Sequence, residues 1–177
     1  MHNTIISILL MLIIATAVVA EVSIFPDFTT KDPDGNEIVL SEFCAEGPVI
    51  LTFWATWCKP CVKELNKLTE MKDFLDMHNV RVLAVCEDGP RTRGKVKPYA
   101  EKSGWDFAIA MDSGSRIKAI AGVADIPELY MLSAESEILY HHMGYKPGDE
   151  VEYEAKIIEL FPAEKEEEAT EEVEVEQ

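Results

Sequence analysis

Basic residues are scarce in this chain. Sixteen lysines and arginines stand against 33 aspartates and glutamates, a net charge of −17, and that balance argues against a nucleic-acid partner. Metal-ligand patterns are missing too. A structural zinc site needs four ligands, in practice a second C-x-x-C or an H-x3–5-H pair. The sequence has neither beside its single C-x-x-C, and His141 and His142 are adjacent and far along the chain. No metal and no organic cofactor is therefore expected. No Gly/Ser-rich linker and no internal repeat divides the chain.

Charge is absent from residues 1–20, and Ile5 to Ala20 is mostly apolar. That run is short for a membrane span, which takes about 20 residues. Ala15-Thr16-Ala17 and Val18-Val19-Ala20 offer small residues where a signal peptidase could cut. The reading is a secretory signal, with an uncleaved anchor as the alternative. No cysteine follows closely enough for a lipoprotein. Export would place the protein in an oxidising compartment. At the other end, residues 162–177 hold eight glutamates against Lys165 and no aromatic residue, a composition with almost nothing to bury. Between them, 21–161 is long enough for one domain with its own core.

What the chain does have is Thr52-Phe53-Trp54-Ala55-Thr56-Trp57-Cys58-Lys59-Pro60-Cys61-Val62-Lys63-Glu64-Leu65. An apolar run, Val49 to Trp54, gives way to a short turn and then an amphipathic segment with Val62, Leu65 and Leu68 on one side. This predicts strand, turn, helix, with Cys58 at the helix N-cap and Cys61 in the first turn. Pro60 suits that turn, where a missing N–H is no loss. Free N–H groups and the positive end of the helix dipole would stabilise a thiolate at Cys58. Lys59 adds a positive charge, weakly if exposed.

The rest of the domain reads as Val22–Thr30 and Asn36–Leu40 flanking the Asp32-Pro33-Asp34-Gly35 turn, then a helical turn at Ser41–Cys44. A buried strand at 49–54, a helix from Lys59 to about Met77 and a second buried strand at 80–86 follow. Next come a helix at 92–103, a strand at 107–111, helical turns at 113–121 and strands at 129–132 and 138–142. A closing helix at 149–161 has Val151, Ala155, Ile158 and Phe161 on one face. The order suits an α/β fold, a mixed sheet with helices on both faces, whose sites gather at the carboxyl ends of the strands. Cys86 should then lie near the Cys58/Cys61 pair and Cys44 at the opposite edge, too far for a Cys44–Cys86 bridge. Each reads as a buried thiol behaving as a small hydrophobe, with a third redox-active thiol as the sharper reading for Cys86. Glu87-Asp88 reads as a solvated loop.

Phe53-Trp54-Ala55-Thr56-Trp57-Cys58-Lys59-Pro60-Cys61 resembles the active site of the thioredoxin superfamily. With Phe25-Pro26-Asp27-Phe28 and the Asp34-Gly35 to Leu40-Ser41 segment, the chain from about 22 to 160 is similar to the TlpA/ResA-like thiol–disulfide oxidoreductases. The resemblance implies a thioredoxin-like fold with an N-terminal β-hairpin. It also implies a cis proline facing the cysteines, which here is Pro127, leaving the backbone of Ile126 free to pair with an extended substrate; an ordinary trans proline is the alternative. Trp57 and Pro127 would shape the peptide-binding edge, beside Lys59 and Pro60. The family usually has Thr after that proline, and Glu128 departs from it.

Many thioredoxins carry a buried Asp six residues before the first cysteine; Thr52 occupies that place and cannot titrate. In the TlpA/ResA-like group Glu64 would instead move the Cys61 proton, being on the same helix face. An exposed glutamate paired with Lys67 is the alternative. The activity implied is reduction of disulfide-containing protein substrates by a monomer on the extracytoplasmic side, resupplied by a membrane thiol–disulfide electron donor, with apocytochrome thiols one substrate class. A disulfide-donating oxidase or isomerase is the nearest alternative. A peroxiredoxin would put Thr where Ala55 stands, and a non-catalytic binding domain would not need both cysteines.

Overall fold

The computed structural model describes residues 22–163, so the expected signal and nearly all of the acidic tail lie outside the described residues. Seven strands form one mixed sheet in the order β2-β1-β5-β4-β3-β6-β7. The strands are β1 Thr29–Lys31, β2 Glu37–Val39, β3 Val49–Trp54, β4 Arg81–Cys86, β5 Ala108–Met111, β6 Glu128–Leu132 and β7 Ile138–Met143. β3, β4 and β5 run parallel, and β6 pairs antiparallel to β3. The C-terminal ends of β3 and β4 and the N-terminal end of β6 therefore share one edge. This is the thioredoxin-like α/β arrangement that the sequence implies.

Strand alternation sorts the core into two layers. Ile50, Trp54, Val82, Ala84, Cys86, Leu129 and Met131 face α2 (Lys59–Glu70), α3 (Lys72–Met77), α4 (Val96–Ser103) and α6 (Asp149–Leu160). Val49, Leu51, Phe53, Leu83, Val85, Tyr130 and Leu132 face α1 (Leu40–Ala45), α5 (Arg116–Ala121) and the N-terminal segment. β3 is buried along its whole length, as a central strand covered on both faces must be.

Several boundaries differ from the sequence reading. The expected strand from Val22 shrinks to Thr29–Lys31, with Ile24 making one isolated bridge to Glu137. The segment is held by side chains instead: Phe25 and Phe28 are buried, and Phe25 meets the Tyr130 ring edge-on at 5.0 Å. The single helix expected from Lys59 to Met77 is two, broken at Met71, whose ψ of 5° leaves the helical well. No Gly or Pro marks that break, so periodicity runs straight through it. The helix expected from Thr92 begins as a 3-10 turn at Arg93–Lys95, and α4 starts at Val96. Pro98 then falls in the first turn, where its missing N–H has no intrahelical partner to lose.

The closing helix turns a different face inward. Val151, Ala155 and Ile158 are exposed, and the buried positions are Asp149, Tyr153 and Ile157, followed by Phe161 just past the helix end. Apolar content alone picked the wrong stripe because the true inner face carries a carboxylate and a phenol whose polar atoms are paired.

Candidate active site

Cys58 is the N-cap of α2 and is extended there, with φ −87° and ψ 98°. Its sulfur accepts the Cys61 N–H at 3.3 Å, the hydrogen bond a serine or aspartate cap would accept. Cys58 and Cys61 form a disulfide, with 5.3 Å between their Cα atoms. Cys61 is fully buried and Cys58 6% exposed, while Trp57 is 63% exposed and Lys59 and Pro60 lie open beside it. A partner thus meets Cys58 first, across the Trp57 indole.

The Ile126–Pro127 bond is cis. Pro127 is buried, Ile126 half-buried, and the Ile126 carbonyl oxygen lies 3.8 Å from the Cys58 sulfur. The Pro127 carbonyl accepts the Gly144 N–H at 2.8 Å, tying this loop to the end of β7. The next residue, Glu128, does not face the disulfide. Its buried carboxylate accepts the Tyr130 hydroxyl at 2.5 Å and meets His141 Nε2 at 2.7 Å, on the α1/α5 side of the sheet.

Glu64 is fully buried one turn beyond Cys61. Thr52 donates its hydroxyl to one carboxylate oxygen at 2.7 Å, and Tyr153 donates to the other at 2.9 Å. Burial raises the carboxyl from its ordinary 4.5 to about 7, against the pull of the two hydroxyls, with the Asp149 charge adding to the rise. The exposed alternative falls away, because Lys67 pairs with Glu70 instead.

Asp88, read from the sequence as part of a solvated loop, is completely buried. Its carboxylate accepts the Thr56 N–H at 2.7 Å and the Thr56 hydroxyl at 2.8 Å, and the Cys86 sulfur lies 3.4 Å away. Burial raises this carboxyl, but donors from the Thr56 backbone and the Thr92, Thr56 and Cys86 side chains outweigh it and hold it below its ordinary value. Asp88 therefore pins the turn that presents Trp57 and Cys58 to the end of β4.

Cys86 lies opposite Trp54 in the β3–β4 register, on the α2 side and at the site's edge of the sheet. It is buried and free, and burial pushes its thiol far up, so it stays protonated. Cys44 is also free and buried, in the layer across the sheet; the sheet itself separates the two.

Thr52, Tyr153 and Asp88 are the residues that sequence reasoning missed. Thr52 could have been found by parity, since it shares a strand face with Ile50 and Trp54 and so must look at α2. Asp88 shares the parity of buried Cys86. Tyr153 carried no such signal once the helix face was misread.

Comparison with known proteins places the chain. The AhpC/TSA family model matches residues 23–141. The chain belongs to that family. The ResA thiol-disulfide oxidoreductase of Geobacillus kaustophilus is 31% identical over 134 residues, covering 76% of this chain and 75% of that one. Among solved structures, a Chlorobium tepidum protein described as a thiol:disulfide interchange protein DsbE is similar with a TM-score of 0.70. It is 25% identical, covering 78% of this chain and 95% of that one. A thioredoxin-like protein from Porphyromonas gingivalis is 33% identical with a TM-score of 0.67, over 77% and 91% of the chains. This AhpC/TSA member is accordingly a TlpA/ResA-like thiol–disulfide oxidoreductase, with the Cys58–Cys61 pair at its redox site.

Proposed function

We propose that the protein is an exported reductant of protein disulfides. The Cys58 thiolate attacks one sulfur of a substrate disulfide, forming a mixed disulfide and releasing the other substrate sulfur as a thiolate, which takes up a proton. Cys61 then gives its proton to Glu64, and its sulfur attacks Cys58. The Cys58–substrate bond breaks, and the second substrate thiolate leaves and is protonated. The substrate gains two electrons, and the Cys58/Cys61 dithiol becomes the disulfide. A membrane dithiol donor returns the electrons. Trp57, Lys59, Pro60, Ile126 and Pro127 form the edge on which an extended substrate lies, Ile126 offering its backbone for strand addition. Apocytochrome thiols are one substrate class that such a reductant would serve.

The observation that carries the reductive direction is the charge of the buried groups. Among the described residues the buried ionisable side chains apart from cysteine and tyrosine are Glu64, Asp88, Asp112, Glu128 and Asp149, and no Lys, Arg or His is buried. A strong oxidant owes its potential to a stabilised reduced form. Here the Cys58 thiolate has the helix N-terminus and the Cys61 N–H to stabilise it but no buried cation, and Cys61 is fully buried one turn from Glu64, so the reduced pair lacks the strong ionic stabilisation of an oxidant.

The test is turnover of an insulin-type disulfide with dithiothreitol as electron source. Turnover should vanish in Cys58→Ser, and Cys61→Ser should trap the mixed disulfide. Failure of the wild-type protein to reduce the substrate, with rapid consumption of peroxide instead, would assign a peroxidase.

A further inference from the structure

Tyr153 lies 89 residues from Glu64 in sequence and comes from the last helix of the domain, yet it supplies half of that carboxylate's hydrogen bonding. Thr52 from β3 holds one oxygen and Tyr153 from α6 the other. Both partners are hydroxyls, which donate to a carboxylate and can equally turn to accept from a carboxylic acid. Glu64 can thus be charged or protonated without leaving a buried polar atom unpaired. An N–H donor or a lysine at each oxygen would leave the O–H of the acid form without an acceptor.

The ring of Tyr153 is locked in place. It is 1% exposed and meets His142 of β7 edge-on at 5.3 Å. His142 Nε2 is 3.2 Å from Asp149, which also accepts the Lys146 N–H at 2.9 Å, and His142 Nδ1 is 3.1 Å from the Tyr140 hydroxyl.

We propose that Tyr153 is a positioning residue for disulfide exchange: together with Thr52 it clamps the Glu64 carboxylate in one orientation and keeps both of its protonation states hydrogen-bonded. The proposal rests on the proton-transfer role of Glu64 given above. The other ionisable groups around Glu64 are Cys61 on its own helix, Asp149 on α6 and Tyr145 in the loop before α6, whose hydroxyl donates to Glu150. Tyr153 itself stays protonated, raised by burial and by the Glu64 charge. In Tyr153→Phe the ring remains and one oxygen of charged Glu64 loses its donor, so the acid form gains ground.

The experiment follows, between about pH 5 and 9, the rate at which Cys61 of the full chain resolves a preformed mixed disulfide of Cys58 with a peptide, a step in which Cys58 carries no proton. The oxidised protein is titrated in parallel, following the Glu64 side-chain carboxyl by NMR. Wild type should show a step near 7 in both. Tyr153→Phe should move both steps up by about one pH unit, the worth of one hydrogen bond to a charged group. Thr52→Val should move them the same way, and Glu64→Gln should abolish the rate step with or without Tyr153→Phe. A rate step lost in Glu64→Gln but unmoved in Tyr153→Phe overturns the Tyr153 proposal and leaves Glu64 in its role. A rate step that persists in Glu64→Gln overturns the Glu64 role, and the Tyr153 proposal with it.

Discussion

Two buried carboxylates flank the redox turn, and they behave in opposite ways. Glu64 and Asp88 are both completely inaccessible to solvent, yet Glu64 is raised to about 7 and Asp88 is held below its ordinary value. Burial pushes both upward. Glu64 has two hydroxyl donors and the repulsion of Asp149. Asp88 has a backbone N–H, which cannot reverse, and three side-chain donors. The kind and number of donors decides the outcome. Glu64 is left able to exchange a proton near neutrality, and Asp88 is left as a fixed anion that anchors Thr56.

The largest effect that tests this contrast is on stability against pH. Glu64 has a folded value of about 7 against an ordinary 4.5. As pH rises through that window the unfolded chain loses this proton while the folded chain keeps it, so stability falls. Urea unfolding should show a loss of about 3 kcal/mol across the window from this group, and Glu64→Gln should flatten it. Asp88 has the opposite sign: its contribution is present above its ordinary 3.8 and is lost as pH falls through its lower folded value. Asp88→Asn should therefore blunt the acid limb of the same curve.

Next in size is the kinetic difference. With Cys61 intact, Glu64→Gln should slow resolution of a preformed mixed disulfide about 100-fold at neutral pH, the usual worth of a placed proton acceptor. Asp88→Ala should instead unfold at lower urea, by about 2 kcal/mol, because the half-buried Thr56 N–H and hydroxyl lose their acceptor. It should keep the rate step near 7 set by Glu64. If Asp88→Ala abolished that step, the division of labour between the two carboxylates would be wrong. The smallest effect belongs to Cys86. Cys86→Ala should cost about 1 kcal/mol and leave the exchange rate unchanged, since its thiol is buried and protonated beside Asp88.

The parts of the molecule that were legible in the sequence are those where one physical pattern dominates. The run Val49–Trp54, apolar but for Thr52, read as a covered strand, and Cys58-Lys59-Pro60-Cys61 as the opening of a helix with Cys58 at its cap. The edge shared by Cys58 and Cys86 followed from parallel strands ending together, whereas Pro127, ahead of the antiparallel β6, was placed there by the family resemblance. Less legible were places where polar atoms are buried in pairs. Asp88 looked like solvent-facing acid because its donors, Thr56 and Thr92, are remote or unremarkable in sequence. Asp149 and Tyr153 hid the inner face of α6 for the same reason, leaving Val151 and Ile158 to suggest the wrong one. The break at Met71 leaves no mark in composition at all.

The central claim is that the Cys58/Cys61 dithiol gives electrons to substrate disulfides. Its most direct test is the reduction potential of the pair, by equilibration with glutathione or dithiothreitol. The value should lie near or below about −250 mV, as for reductants of this fold; a value near about −120 mV would mark a disulfide donor and contradict the reductive direction.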